Sequence, residues 1–303
     1  MLTEYTKWVC SVRQLNILNN KKRQKNTQAV FFCIYIAMKK ILTFLYPNKD
    51  GKNRLYILDN IRGFTVLNMI LYHALYDAVY LCSFKITWYE GKAGLIWEFL
   101  ICSVFILLSG LCMNLSSHPY KRGLTVFLSG LIVSAVTLVF IPEEKILFGV
   151  LTFLGCAMLF TALISKLLNK VNPVFLLILN VLLFIFTFNI NNGYVGFFNL
   201  NKTVLPSFLY KGYFMTFLGF TDLSFFSSDY FSFIPWIFLF ISGYAFGKIV
   251  DIKSASLNVE KGNRLLSLRI PVLTFIGQRA LLIYLIHQPL LYLIVLIINR
   301  YNT

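Results

Sequence analysis

Two of the three histidines stand inside long apolar runs. An ionisable side chain there costs ~2.5–3.5 kcal/mol to insert and is a functional candidate by default. His73 has Asp77 four residues on, one helical turn along and on the same face, within reach of the imidazole. A carboxylate beside an imidazole raises its basicity and selects its tautomer, which is what a general base needs. His287 stands in Tyr284-Leu-Ile-His-Gln-Pro289. Gln288 offers an amide, and Pro289 lacks an N–H and so frees a backbone carbonyl one turn earlier. Asp59 and Arg62, three apart on the run that carries His73, can pair; the plain reading is a helix-end ion pair that anchors the span. His118, in Ser116-Ser-His-Pro-Tyr-Lys-Arg122, falls in a short polar loop and reads as solvated. Asp229 and Trp236 flank the start of a later run. The tryptophan reads as an interfacial belt residue, the aspartate as a border to an external substrate site.

These residues are positioned by membrane spans. The chain has 303 residues, 58% of them hydrophobic and 13% charged, with mean hydropathy +0.71. A soluble domain cannot hide that much apolar surface. Seven runs are long enough to cross a hydrocarbon core of ~30 Å: Ile57–Cys82, Ala93–Leu115, Gly123–Ile141, Ile146–Leu168, Pro173–Ile190, Phe231–Val250 and Pro271–Ile298. The expected fold is an all-α, polytopic transmembrane helix bundle (residues 54–300). Asn191–Tyr230 has mixed character and is expected to fold against the membrane, with an eighth, partial span near Tyr210–Phe220. The pairs Ser109-Gly110 and Ser242-Gly243 read as close-packing points between helices. The six cysteines show no metal-ligand or CxxC spacing and read as small apolar residues, so no metal is expected.

Charge sets the orientation. Residues 1–54 hold eleven Lys/Arg against two acidic residues, so +9 of the net +16 lies in the first sixth of the chain. A basic lead (residues 1–53) with a short apolar segment, Ala29–Met38, suits an anionic cytoplasmic membrane surface; no nucleic-acid recognition motif accompanies the charge. Translation starting at Met38 is an alternative reading of this lead. With the N-terminus inside, Lys121, Arg122, Lys166, Lys170, Lys248, Lys253, Lys261, Arg264 and Arg269 face the cytoplasm, as the positive-inside rule requires. Counted from Asp59, His73 lies fourteen residues along, roughly 21 Å; counted from Pro271, His287 lies sixteen along, roughly 24 Å. The two histidines are therefore expected at similar depth, in the outer half of a multi-pass plasma-membrane protein.

The motifs resemble a known family. Arg54-Leu-Tyr-Ile-Leu-Asp59-Asn-Ile-Arg62-Gly63, Met69-Ile-Leu-Tyr-His73-Ala-Leu-Tyr-Asp77, Phe105-Ile-Leu-Leu-Ser-Gly110, Asp229-Tyr-Phe-Ser-Phe-Ile-Pro235-Trp236 and Leu281-Leu-Ile-Tyr-Leu-Ile-His287-Gln-Pro289 fall in one order. That order resembles the heparan-alpha-glucosaminide N-acetyltransferase family, within the wider transmembrane acyltransferase group, over residues 54–298. Departures are Thr152 where many relatives carry His, Phe238 where a small residue is expected, and Gly277-Gln278-Arg279-Ala280 where a basic residue precedes Ser. The resemblance implies transfer of an acetyl group from cytosolic acetyl-CoA to an amine or hydroxyl of a sugar or glycoconjugate on the far side. On that implication His73, Asp77 and His287 are catalytic. Arg62, Asp59, Arg264 and Arg269 serve the CoA, and Asp229, Trp236 and Gln288 stand on the substrate side. The rival from another class is a transporter using the intramembrane His and Asp residues as a proton relay, although the halves show no hydropathy repeat.

Overall fold

The structure is a computed structural model that describes residues 54–301 apart from 81, 83, 141, 198–201, 253 and 255–267. The basic lead, Ala29–Met38, Lys253, Lys261 and Arg264 lie outside the described residues. The chain divides into two compact units, one spanning Ile106–Ala255 and one built from the flanking stretches.

The flanking unit is organised around α1 (Tyr56–Tyr80), 25 residues with no proline and a single glycine. It also contains the four-residue α2 (Thr87–Glu90), the first part of α3 (Lys92–Cys112), and α9 (Pro271–Gln278) and α10 (Ala280–Tyr301). α9 lies along α1, and α10 also packs on it. Glycine makes the α1–α9 contact possible. A Cβ on Gly63 would overlap the Leu273 carbonyl, and one on Gly277 would overlap the Asp59 carbonyl, so the two backbones touch. Asn60 locks the same seam. Its Nδ2 donates to the Leu268 carbonyl at 2.8 Å, and its Oδ1 accepts from Thr274 Oγ1 at 2.7 Å and from the Ile270 N–H at 3.4 Å. The far end of α1 sits in an aromatic core of Tyr72, Val79 and Tyr89, with Tyr76, Tyr80 and Trp97 against it.

The expected single span Pro271–Ile298 is two helices. α9 and α10 meet at 89°, because Arg279 leaves the helical region (φ −110°, ψ 20°) while the glycine seam and Asn60 hold α9 to α1. The depth of His287 reckoned along one straight helix therefore does not apply.

The central unit contains the rest of α3, α4 (Pro119–Phe140), α5 (Val150–Leu168), α6 (Pro173–Thr187) and α8 (Phe233–Ile249). α4 packs on α5, and α6 on α8. α6 starts as its sequence dictates: Asn172 Oδ1 accepts from the Val174 and Phe175 N–H groups, with Pro173 at the first helical position. Gly110 lies against the Phe240 carbonyl and Gly243 against the Leu107 carbonyl, so both Ser-Gly pairs mark close crossings, as expected. Ile234, held extended before Pro235, puts a break at the start of α8. Within Asn191–Tyr230 the expected partial span is a six-residue helix, α7 (Tyr213–Leu218), only about 9 Å long. A small antiparallel ribbon, β1 (Tyr194–Val195) with β2 (Thr203–Val204), pairs Tyr194 with Val204. It is the one departure from an all-α fold among the described residues.

Helices thus stand at all seven expected positions. Four (Lys92–Leu115, Pro119–Phe140, Val150–Leu168, Pro173–Asn192) are long and apolar enough to cross a membrane, and the α9–α10 pair makes a fifth if counted as one span. α8 is apolar but short at 17 residues, and α1 carries Asp59, Asn60, Arg62, Asn68, His73 and Asp77 along its length.

Candidate active site

α1 and α10 bring the two histidines together. The ring centroids of His73 and His287 are 5.0 Å apart at an interplanar angle of 55°. One turn further along α1, Asp77 Oδ1 accepts a long 3.5 Å bond from Gln288 Nε2. The result is a ladder of two rungs, with i and i+4 of α1 facing consecutive residues of α10. The sequence reading placed the Asp77 carboxylate within reach of His73; in the structure its Oδ1 accepts from Gln288, and the His73 ring lies against His287 and Tyr72.

His287 has a defined tautomer. Its Nδ1 lies 2.5 Å from the Tyr284 carbonyl oxygen three residues back. A carbonyl only accepts, so the proton is on Nδ1 and Nε2 carries a lone pair. The carbonyl engaged is Tyr284's, rather than the Leu285 carbonyl freed by Pro289. His287 is 7% exposed, and its Nε2 is buried with no hydrogen-bond partner among the described residues. The same holds for Gln288 Oε1. The Tyr284 ring flanks the imidazole at 5.4 Å. A basic nitrogen aimed into a buried space, with its other nitrogen committed, can take a proton or attack an electrophile.

At the start of α1, Asp59 is held by two guanidinium groups. Arg54 Nε is 2.6 Å from Oδ2, and Arg62 Nη1 is 3.2 Å from Oδ1. Two cations on one carboxylate leave this end of the helix positive. Arg269 adds to it, its guanidinium 5.5 Å over the Tyr56 ring.

Asp229 and Trp236 belong to the central unit and have partners there. Asp229 Oδ2 accepts from the Val150 N–H at 3.1 Å, so the carboxylate caps the start of α5, where an anion is stabilised by the helix dipole. Ser227 and Phe231 strap the same segment to Leu147 and Phe148. The Trp236 ring packs on Phe184 and Phe231, at 5.6 and 5.2 Å. Thr152 is buried in the α4–α5 seam opposite Gly130.

Sequence reasoning missed several residues. Arg54 and Asn60 lie inside the opening motif, yet nothing in their spacing announced an ion pair or an inter-helix clamp. Glu98 had a visible signal: a carboxylate a few residues inside an apolar run. The structure sets its Oε2 2.7 Å from the Tyr72 hydroxyl, which donates to it, on the residue next to His73. Trp97 Nε1 donates to Asn68 beside that pair.

The fold and this site define a helical protein with several helices long and apolar enough to cross a membrane, and with two histidines in contact between α1 and α10. Residues 54–289 match the family model described as heparan-alpha-glucosaminide N-acetyltransferase, catalytic. That match covers well over half of the chain, and the protein belongs to this family. Membership indicates a membrane acetyltransferase-type function, with acetyl-CoA as the general donor and a sugar or glycoconjugate as the general acceptor. No curated protein and no solved structure matches the chain significantly.

Proposed function

We propose that the protein transfers an acetyl group from cytosolic acetyl-CoA to an amine or hydroxyl of a sugar or glycoconjugate at the outer side of the plasma membrane. In this reading residues 54–300 form one acyltransferase domain of seven spans with the N-terminus inside. α1, α8 and the bent α9–α10 pair then count as spans besides the four long helices. The observation that carries the proposal is His287, whose Nδ1–H is committed to Tyr284 and whose Nε2 is buried, unpartnered and next to His73.

His287 Nε2 removes the acceptor's proton as its nitrogen or oxygen attacks the acetyl carbonyl carbon. A C–N or C–O bond forms, the C–S bond breaks, and the CoA thiolate leaves with that proton. His73 flanks the acyl group from α1, and Asp77 holds Gln288. Arg62 at the start of α1 with its partner Asp59, together with Arg269 and Arg264, meets the phosphates of the CoA nucleotide, for which guanidinium geometry is suited. The family resemblance assigns Asp229 and Trp236 to the acceptor's side of the reaction.

The test is acetyl transfer by purified protein with radiolabelled acetyl-CoA. His287→Ala and His73→Ala are expected to lower kcat by about 10²–10⁴-fold, the usual weight of a general base. His118→Ala, an exposed residue whose Nδ1 lies 2.8 Å from the neighbouring Ser117 carbonyl, serves as the control. Full activity in His287→Ala would overturn the assignment.

A further inference from the structure

The central unit carries unbalanced charge at one end. α4 and α5 run antiparallel in close register: a Cβ on Gly130 would meet Thr152, one on Gly155 would meet Phe127, and one on Gly123 would meet Leu159. That register sets Lys121, at the start of α4, level with about Thr161 of α5. Lys166 follows five residues on, about 7.5 Å along the axis, so the start of α4 and the end of α5 fit within one interfacial layer of a bilayer. α8 closes the same end. The Tyr244 hydroxyl donates to Asn169 Oδ1 at 2.9 Å, and Lys248 Nζ donates to the Leu168 carbonyl at 3.4 Å. Lys121, Arg122, Lys166 and Lys170 therefore share this end, and the ion pairs among the described residues are the two on Asp59, elsewhere in the chain. The one carboxylate at this end among the described residues is Asp251, which accepts from the Ser254 N–H at 3.5 Å. At the opposite end Lys145, Lys202 and Lys211 are balanced by Glu144, Asp222 and Asp229.

Beside these cations the surface is apolar and open. On α4, Lys121, Leu124, Leu128 and Leu131 step by three or four residues and share a face, and all four are exposed. On α5 the same step joins Phe160, Leu163, Leu167 and, just past the helix, Lys170, again all exposed; Leu163 and Leu167 are 69% and 64% open. Each helix thus presents a stripe that is cationic at this end and apolar along the span. A solvated face would stay polar further along the helix, and a packing face would be covered by a neighbour. A free anion would engage the cations and leave the apolar stripes unexplained. A phospholipid has this order of chemistry, phosphate at the interface and acyl chains beneath it.

We infer that this end of the central unit is a binding surface for anionic phospholipid: Lys121, Arg122, Lys166 and Lys170 hold the headgroup phosphates, and the acyl chains run along the exposed stripes of α4 and α5. Lysine and arginine stems are long enough to lie on the apolar stripe while their charged heads reach the headgroup layer. In the orientation proposed above this end faces the cytoplasmic leaflet, where anionic lipids attract basic residues. The surface is separate from the histidine site and stands without the acetyl-transfer reading.

The experiment titrates the full-length protein, in a neutral detergent at fixed ionic strength, with phosphatidylglycerol or with phosphatidylcholine of the same chains. Bound lipid is counted by native mass spectrometry, and the ratio of the two affinities is read. The basic lead also attracts anionic lipid, so the decisive quantity is the change in that ratio between variants. Replacing Lys121, Arg122, Lys166 and Lys170 together by Gln is expected to lower the phosphatidylglycerol preference about tenfold, each basic residue near the surface contributing to the attraction. Replacing Lys145, Lys202 and Lys211 by Gln, at the opposite end, is expected to leave it unchanged. A wild-type ratio in the fourfold variant overturns the inference and assigns the lipid to the basic lead. An equal fall in both variants also overturns it, because binding then follows net charge alone. Excess inorganic phosphate, with chloride lowered to hold the ionic strength, is expected not to displace the lipid; displacement means a site for free phosphate and overturns the lipid assignment. If the fourfold variant does not fold, Lys166→Gln with Lys170→Gln decides, both side chains being exposed: a fall of about threefold supports the surface, and an unchanged ratio overturns it. Acetyl transfer is not read in any arm, so failure of that reading leaves this result intact.

Discussion

Asn60 gives the sharpest stability test. It is 3% exposed and its partner Thr274 1%, and it ties the start of α9 to α1 through bonds of 2.8, 2.7 and 3.4 Å. Asn60→Ala removes all three. The 3.4 Å bond counts for little, leaving two short bonds. Interhelical hydrogen bonds in membrane proteins average ~0.6 kcal/mol and reach about 1.7, while leaving a buried partner unsatisfied costs about 1–3 kcal/mol. The Thr274 hydroxyl and the Leu268 carbonyl are both left in that state, so the orphaned partners outweigh the lost bonds, and a destabilisation of about 2–3 kcal/mol is expected. Thr274→Val alone costs about 1 kcal/mol, since Asn60 keeps the Leu268 and Ile270 contacts. In the double variant the orphaned hydroxyl is gone, so its cost is less than additive by about 1 kcal/mol. The assay is reversible denaturation in mixed micelles followed by circular dichroism, on all four corners of the cycle. An Asn60→Ala protein within 0.5 kcal/mol of wild type, or strict additivity, would refute the clamp.

Gly63→Ala places a Cβ into the Leu273 carbonyl; overpacking of this kind costs about 1–3 kcal/mol. Gly277→Ala should add little on top, because the first methyl already separates the helices, and thermal unfolding of the single and double variants checks this. Asp229→Ala removes an anionic acceptor from the Val150 N–H, with a loss of about 0.5–2 kcal/mol expected from capping data; hydrogen exchange of the first turn of α5 reads it directly. Asp222, half-buried between α7 and α8, has its carboxyl held down at about 2 by the Gly212 and Ser224 N–H groups, then the Ser224 hydroxyl, with Lys211 a smaller influence. A depressed folded pKa contributes stability that is complete above the ordinary carboxylate range and lost as pH falls through about 2. Limited proteolysis of residues 211–224 is therefore expected to be flat down to about pH 4 and to rise below it, and Asp222→Ala should lose that pH dependence.

The positions of the apolar helices were legible from the chain because bilayer insertion is a one-dimensional demand: each crossing must be a run of apolar residues of set length. Helix positions at Gly123–Ile141 and Pro173–Ile190 therefore matched α4 and α6 closely. The candidate residues were legible for the same reason, since His73, Asp77 and His287 stand out against an apolar background. Asn60 and Arg54 did not, because polar residues at a helix end are ordinary in sequence.

Tertiary structure alone decided how the rungs pair. A helical repeat said that His73 and Asp77 share a face; it could not say that the face is met by α10, which turns Asp77 to Gln288 and His73 to His287. Nor could it show the 89° bend at Arg279, which follows from two glycine backbones touching between segments more than 200 residues apart. The tautomer of His287 is likewise a three-dimensional fact, set by which carbonyl its Nδ1 meets. Composition and periodicity determine what a helix offers along its own axis; which side chain answers it from another helix depends on contacts that no local pattern encodes.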